Sequence, residues 1–337
     1  MGDGMTEFQP TRRGILKAAG GLSAAAVLGG AGVVGSAAAA HAVGDGFGLR
    51  VIDSNESDPR LKYYRFKTSQ IGWTTGPGVN VLLPDDYDSS GRRYPVMYLF
   101  HGGGTGADFR NFDVPGGIRE LTAGKPIIVV MPDGGGAGWY SNPVTSFVGP
   151  RNWETFHMSQ LLPWVEANFR THAEYDGRAV AGYSMGGFGA LKYAAKYYGH
   201  FASVSAHSGP PSLRLNGGAV GHWANASSAA IELGGGTVYG VPLWNEARVS
   251  ADNAVERIPS YHNKRIFMVA GTGAENIPWF SAFQESHVLD GQREFRGLLD
   301  QAGIPYTAHE VTGGHTLRWH LLAEDIDGIV AHLRPAA

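Results

Sequence analysis

Short apolar runs recur along the chain from about residue 60 onward. They lie at 94–100, 126–131, 179–182, 201–206 and 265–270, with a further candidate at 305–311. Longer stretches, in which apolar residues repeat with the helical period, stand at 153–169, 185–198, 280–301 and 317–333. Buried strands alternating with amphipathic helices predict a mainly parallel sheet covered on both faces. Residues 63–68 and 79–83 read as an antiparallel hairpin leading into that sheet. The alternation breaks once, at residues 207–264, which are rich in Gly, Pro, Ser and Asn. A connection that long inside one domain is usually functional or disordered. Residues 211–260 are therefore read as an insertion lying over the functional site.

The amino-terminal segment has a different pattern. Thr11-Arg12-Arg13-Gly14-Ile15-Leu16-Lys17 has the form of a twin-arginine export signal, followed by an Ala/Gly/Val stretch to about Ala40. Ala40-His41-Ala42 supplies the small-residue cleavage pattern. A membrane anchor would explain the length of the stretch, but not the arginine pair. Residues 1–42 are thus expected to be a cleaved signal, with residues 43–337 as the working domain. Gly30-Ala31-Gly32-Val33-Val34-Gly35 fits the dinucleotide fingerprint G-x-G-x-x-G, yet it follows no strand and lies in the segment to be removed. It is set aside.

Composition narrows the function classes. With 27 basic and 30 acidic residues, the chain lacks the basic excess of a nucleic-acid binder. The absence of cysteine excludes disulfides, thiolate catalysis and cysteine-ligated metals. No H-E-x-x-H pattern or other ligand spacing points to a metal, and no cofactor is expected. Glycine, at 50 of 337 residues, makes any single glycine motif weak evidence.

Context strengthens one of them. Gly182-Tyr183-Ser184-Met185-Gly186 follows an apolar run and precedes a helix-like stretch, the setting of a nucleophile elbow. A serine at its ordinary pKa needs a histidine base oriented by a carboxylate, here in the chain order Ser, acid, His. Of the late histidines, His315 alone lies in a glycine loop after the last strand candidate; His287, His320 and His332 fall on helices, and His309 within a strand. Glu275, in the loop after 265–270, is the first choice of acid, with Glu285 and Asp290 as alternatives on the following helix. The oxyanion hole is expected from the Met185 amide and from Gly103, or Gly102 beside it, in Phe100-His101-Gly102-Gly103-Gly104.

These pieces resemble the α/β-hydrolase superfamily, in its esterase D and antigen 85 (mycolyltransferase) branch. The resemblance covers most of residues 60–335. It rests also on Val130-Met131-Pro132-Asp133-Gly134-Gly135, Trp139-Tyr140-Ser141, Asn152-Trp153-Glu154-Thr155-Phe156, Gly271-Thr272-Gly273-Ala274-Glu275-Asn276-Ile277-Pro278 and Gly314-His315. It implies an α/β-hydrolase fold and a Ser184–Glu275–His315 triad, with glutamate rather than aspartate as acid. Two departures stand out. His101 and Gly104 occupy the positions where mycolyltransferases carry an aspartate and an arginine for trehalose. Leu317 replaces the tryptophan after the catalytic histidine, with Trp319 displaced. The disaccharide site is therefore not carried over.

The expectation is a secreted serine esterase acting on a small-molecule, lipid or glycan ester, with acyl transfer to a sugar or glycerol hydroxyl as the alternative. A non-catalytic binding protein on the same fold is the third reading. His101, Trp139 and Trp244 are the candidate substrate contacts, and Trp223 and Tyr239 are further candidates for lining an acyl or aromatic pocket. No nucleic-acid partner and no stable membrane insertion after cleavage are expected.

Overall fold

In the computed structural model, residues 43–72, 74–273 and 277–337 are described. The export signal, its cleavage site and the Gly30–Gly35 decoy lie outside the described residues.

Among the described residues, nine strands form one sheet in the order β1-β2-β3-β5-β4-β6-β7-β8-β9. They are β1 (Arg50–Asn55), β2 (Leu61–Lys67), β3 (Gly78–Leu82), β4 (Val96–Phe100), β5 (Ile128–Pro132), β6 (Arg178–Tyr183), β7 (Ser203–His207), β8 (Arg265–Gly271) and β9 (Thr307–Val311). β1, β2, β3 and β5 pair antiparallel. From β5 through β4, β6, β7 and β8 to β9 every pairing is parallel. The predicted hairpin is the β2–β3 pair. The expected mainly parallel α/β sheet is present, with the addition of β1 at its edge.

The strand interiors explain why this sheet sits between helices. β4, β5 and β7 are buried at every position. Side chains alternate faces along a strand, so Val96, Tyr98 and Phe100 enter one core while Met97 and Leu99 enter the other. The first core also holds Phe188 and Leu191 of the helix Met185–Lys196 and Trp164 of the helix Leu162–Asn168. The second holds Leu322, Ile326 and Ile329 of the carboxyl-terminal helix Trp319–His332.

The segment between β7 and β8 carries more regular structure than its composition suggested. It contains a helix at Leu215–Ser227, with Asn216, Gly217 and Gly218 in left-handed backbone, then a π-helical turn at Ser228–Glu232 and a helix at Glu246–Asp252. It is tied beneath by Lys192 of the helix Met185–Lys196. The fully buried Lys192 ammonium lies 2.8 Å from Glu154 and 2.9 Å from Asp252 of the insertion.

Candidate active site

Ser184 stands where β6 turns into the helix Met185–Lys196, with φ +55° and ψ −120°. That backbone is strained for a residue with a side chain and lifts the hydroxyl off the sheet edge. Its amide donates to the His207 carbonyl at 2.8 Å, and its carbonyl accepts from the Phe188 amide at 3.0 Å. The flanking glycines are steric necessities. A Cβ on Gly182 would lie 2.3 Å from the Gly186 carbonyl, and one on Gly186 would lie 2.1 Å from the Phe100 oxygen.

His315 follows β9 and reaches the serine from across the sheet edge. Its Nε2 lies 2.6 Å from Ser184 Oγ, and its Nδ1 lies 2.6 Å from Glu285 Oε2. The base is pinned at both ends of its backbone: its amide donates to Ser281 Oγ at 2.8 Å, and its carbonyl accepts from Tyr183 OH at 3.1 Å. Burial and the nearby Glu285 push the Tyr183 phenol above its ordinary pKa, so it remains a donor.

The carboxylate at His315 is thus Glu285, one of the two alternatives. Glu275 lies outside the described residues. Glu285 sits on the helix Trp279–Gln301, where its second oxygen accepts from Ser208 Oγ at 2.9 Å and from the Gly271 amide. Asp290, the other alternative, accepts from Asn216 Nδ2 at 3.0 Å in an exposed contact. The sequence did hold a signal. Glu285, Val288, Gly291, Gln292, Phe295 and Leu299 form the buried stripe of this helix, and a carboxylate on such a stripe needs a partner.

The Phe100-to-Gly104 loop lies over residues 134–138, with the Gly104 amide donating to the Gly136 carbonyl at 2.7 Å. Gly103, Gly104 and Met185 face a cavity of about 360 Å³, together with Ser184 and His315. Gly102 is not a cavity wall; a Cβ there would lie 2.9 Å from the Tyr183 ring and 3.3 Å from Ser184 Cβ, so glycine lets the loop close against the elbow.

Residues 72–333 match the protein family described as "Putative esterase". The chain belongs to this esterase family. It is 73% identical over 293 residues to Esterase Rv1288 of Mycobacterium tuberculosis, an alignment covering 87% of this chain and 64% of that protein. The chain therefore spans less than two thirds of that relative's length. It is also 32% identical over 138 residues to the diacylglycerol acyltransferase/mycolyltransferase Ag85A of Mycobacterium bovis, covering 40% of each. An S-formylglutathione hydrolase of Agrobacterium tumefaciens shares the α/β-hydrolase-like fold at TM-score 0.62 and 15% identity, over 84% of this chain and 99% of the other.

On this esterase scaffold the candidate substrate contacts divide. Trp139 does line the cavity, and its Nε1 donates to Ser227 Oγ at 2.9 Å. His101 does not. It is buried, its Nε2 accepts from the Gly134 amide at 2.9 Å, and its Nδ1 donates to the Gly102 carbonyl at 2.7 Å. With both nitrogens engaged, it clamps the two glycine loops together. Trp244 also lies away from the cavity: its ring covers Gly218 and Gly221 and packs 4.8 Å from the His222 ring. Tyr239 is wholly buried and packs inside the insertion. Among the walls that sequence reasoning missed are four side chains, Ile231, Ser227, Phe280 and Gln284. They come from two separate segments with no shared motif. Trp223, already a candidate, is a wall whose ring lies edge-on 5.9 Å from His315.

Proposed function

We propose that the chain is a serine carboxylic-ester hydrolase with Ser184 as nucleophile, His315 as general base and Glu285 as the orienting acid. The observation that carries this reading is the unbroken relay from Ser184 Oγ through both nitrogens of His315 to Glu285, with 2.6 Å at each link. Ser184 Oγ attacks the ester carbonyl as its proton passes to His315 Nε2. The oxyanion takes the amides of Met185 and Gly103, two residues that line the cavity beside Ser184. His315 gives its proton to the departing alkoxide, leaving an acyl-serine. Water then attacks the acyl carbon, giving a proton to His315, which passes it to Ser184 Oγ as the acid leaves.

Glu285 accepts from His315 Nδ1–H, which keeps Nε2 free to take the serine proton. The cavity is within the usual size range for small-ligand sites, and Trp139, Trp223, Ile231 and Phe280 give it mainly apolar walls that suit an acyl or aromatic group. The similarity to Ag85A favours a second reading on the same relay, in which a sugar or glycerol hydroxyl replaces water at the acyl-serine. A complete relay speaks for catalysis over passive binding. The arginine pair and small-residue site within residues 1–42 support export by the twin-arginine route, followed by cleavage to leave residues 43–337 as the catalytic domain.

The test is p-nitrophenyl ester turnover by wild type and Ser184→Ala. Wild type should show a burst of p-nitrophenol equal to the enzyme present, and the variant should show neither burst nor turnover. Unchanged turnover in the variant would remove Ser184 from the mechanism. Product analysis with glycerol present then separates hydrolysis from transfer.

A further inference from the structure

Glu232 is a largely buried carboxylate that the relay does not use. It ends the π-helical turn Ser228–Glu232, in the insertion between β7 and β8. One of its oxygens accepts from the Gly136 amide at 3.1 Å. The other accepts from Trp153 Nε1 at 3.1 Å and lies 3.2 Å from Arg151 Nε. Gly136 in turn accepts the Gly104 amide at 2.7 Å, and Gly104 adjoins Gly103. A single peptide segment therefore joins the Glu232 carboxylate to the oxyanion loop. Gly135 lets the carboxylate approach: its φ is +72°, and a Cβ there would lie 2.7 Å from the Glu232 carboxyl group. The residue before Glu232, Ile231, is a wall of the substrate cavity, as is Gly136 itself.

We propose that Glu232 is a positioning residue for the oxyanion hole, through which the insertion that walls the substrate cavity also sets the placement of the Gly103 amide. This rests on the Ser184–His315 reading and adds to it a role for the insertion. An oxyanion donor acts on the transition state far more than on the bound ester, so its misplacement lowers kcat and leaves KM nearly unchanged. Losing such a donor altogether costs about 100- to 1,000-fold, and loosening its support costs part of that. Arg151 and Trp153 hold the far side of the same carboxylate; the Trp153 ring also packs against Gly138, and phenylalanine removes the Nε1 bond while leaving an aromatic ring there.

The test compares Glu232→Ala, Glu232→Gln and Trp153→Phe in the full chain. Each is assayed for kcat and KM with p-nitrophenyl butyrate and for inhibition by benzeneboronic acid. The boronic acid bonds to Ser184 Oγ and leaves a tetrahedral anionic centre with an oxygen at the oxyanion position. Glu232→Ala should lower kcat about 10- to 100-fold and weaken boronate binding in proportion, with KM within about threefold. Glu232→Gln keeps the shape but turns an NH2 toward one of the donors, so it should fall between Ala and wild type. It carries the test if Glu232→Ala does not fold. Trp153→Phe should lower Tm while keeping kcat and boronate affinity within about threefold. The proposal is overturned if the Glu232 variants keep kcat, or if they lose it with boronate affinity intact. It is also overturned if Trp153→Phe loses as much. Failure of the underlying reading looks different: wild type itself would not bind the boronate, and Ser184→Ala would still turn over.

Discussion

Replacing Glu285 by glutamine isolates the acid's contribution with almost no change in shape. In the native site one carboxylate oxygen takes two donors, Ser208 Oγ–H and the Gly271 amide, while the other takes His315 Nδ1–H. A glutamine has a single acceptor oxygen, and two donors on one side outweigh one on the other. Its NH2 will therefore face His315 and donate to Nδ1. The imidazole must then carry its proton on Nε2, the nitrogen 2.6 Å from Ser184 Oγ, and it loses the ability to accept the serine proton. A wrong-tautomer histidine of this kind costs about 10⁴ in kcat, or about 5 kcal/mol of transition-state stabilisation. KM should change little, because the cavity walls are untouched. The assay is pre-steady-state turnover of a p-nitrophenyl ester, in which the burst rate itself should fall, with a thermal melt to show that the protein remains folded. Turnover within tenfold of wild type would refute the assignment. So would a larger loss in Glu275→Gln, which should otherwise retain normal activity.

Three further outcomes follow from the described contacts. Gly186→Ala places a methyl group 2.1 Å from the Phe100 oxygen, backbone against backbone, and should abolish turnover together with a large fall in Tm. Lys192→Met strips the ammonium from between Glu154 and Asp252, leaving two buried carboxylates with Lys196 as their remaining cation; chemical denaturation should show a loss of about 3–5 kcal/mol. Burial holds His157 neutral, with its pKa lowered to about 4 from the ordinary 6.5, so the unfolded chain binds the extra proton first. That stability, about 3 kcal/mol, is present above pH 6.5 and is lost as pH falls toward 4; Tm measured across that window should fall, and should fall less in His157→Gln.

Most of the sheet was legible because buried parallel strands have to be apolar throughout. β4, β5, β6, β7 and β8 all lie within about two residues of their apolar runs. β1 was not legible. Its sequence, Arg50-Val51-Ile52-Asp53-Ser54-Asn55, is mostly exposed at the sheet edge, so no burial selects an apolar pattern there. The helix Leu215–Ser227 read as loop because glycine, asparagine and serine favour turns, yet packing under Trp244 overrides that preference. At the site, Ser184 and His315, whose side chains lie 2.6 Å apart, could be singled out as candidates by motif and order alone. The acid could not, because chain order says nothing of where a side chain points, and Glu285 approaches from a helix rather than from the loop after β8. For a similar reason the sequence does not show that His101 is buried and bonded at both nitrogens: a place in the oxyanion loop does not distinguish a ligand contact from a clamp.

The glycines that make the elbow possible also mark where the molecule can be engineered. At Gly182, Gly186 and Gly187 the neighbouring atoms within 3 Å are backbone, so those positions admit no stabilising substitution. Gly297 is the opposite case. It lies inside the helix Trp279–Gln301, with open space around the position of a Cβ. Alanine there should add about 1 kcal/mol of helix stability without touching a neighbour. The same helix carries Glu285 three turns earlier, well beyond the reach of a methyl group at Gly297. Thermal hardening and catalytic tuning are thus open to separate adjustment along a single helix.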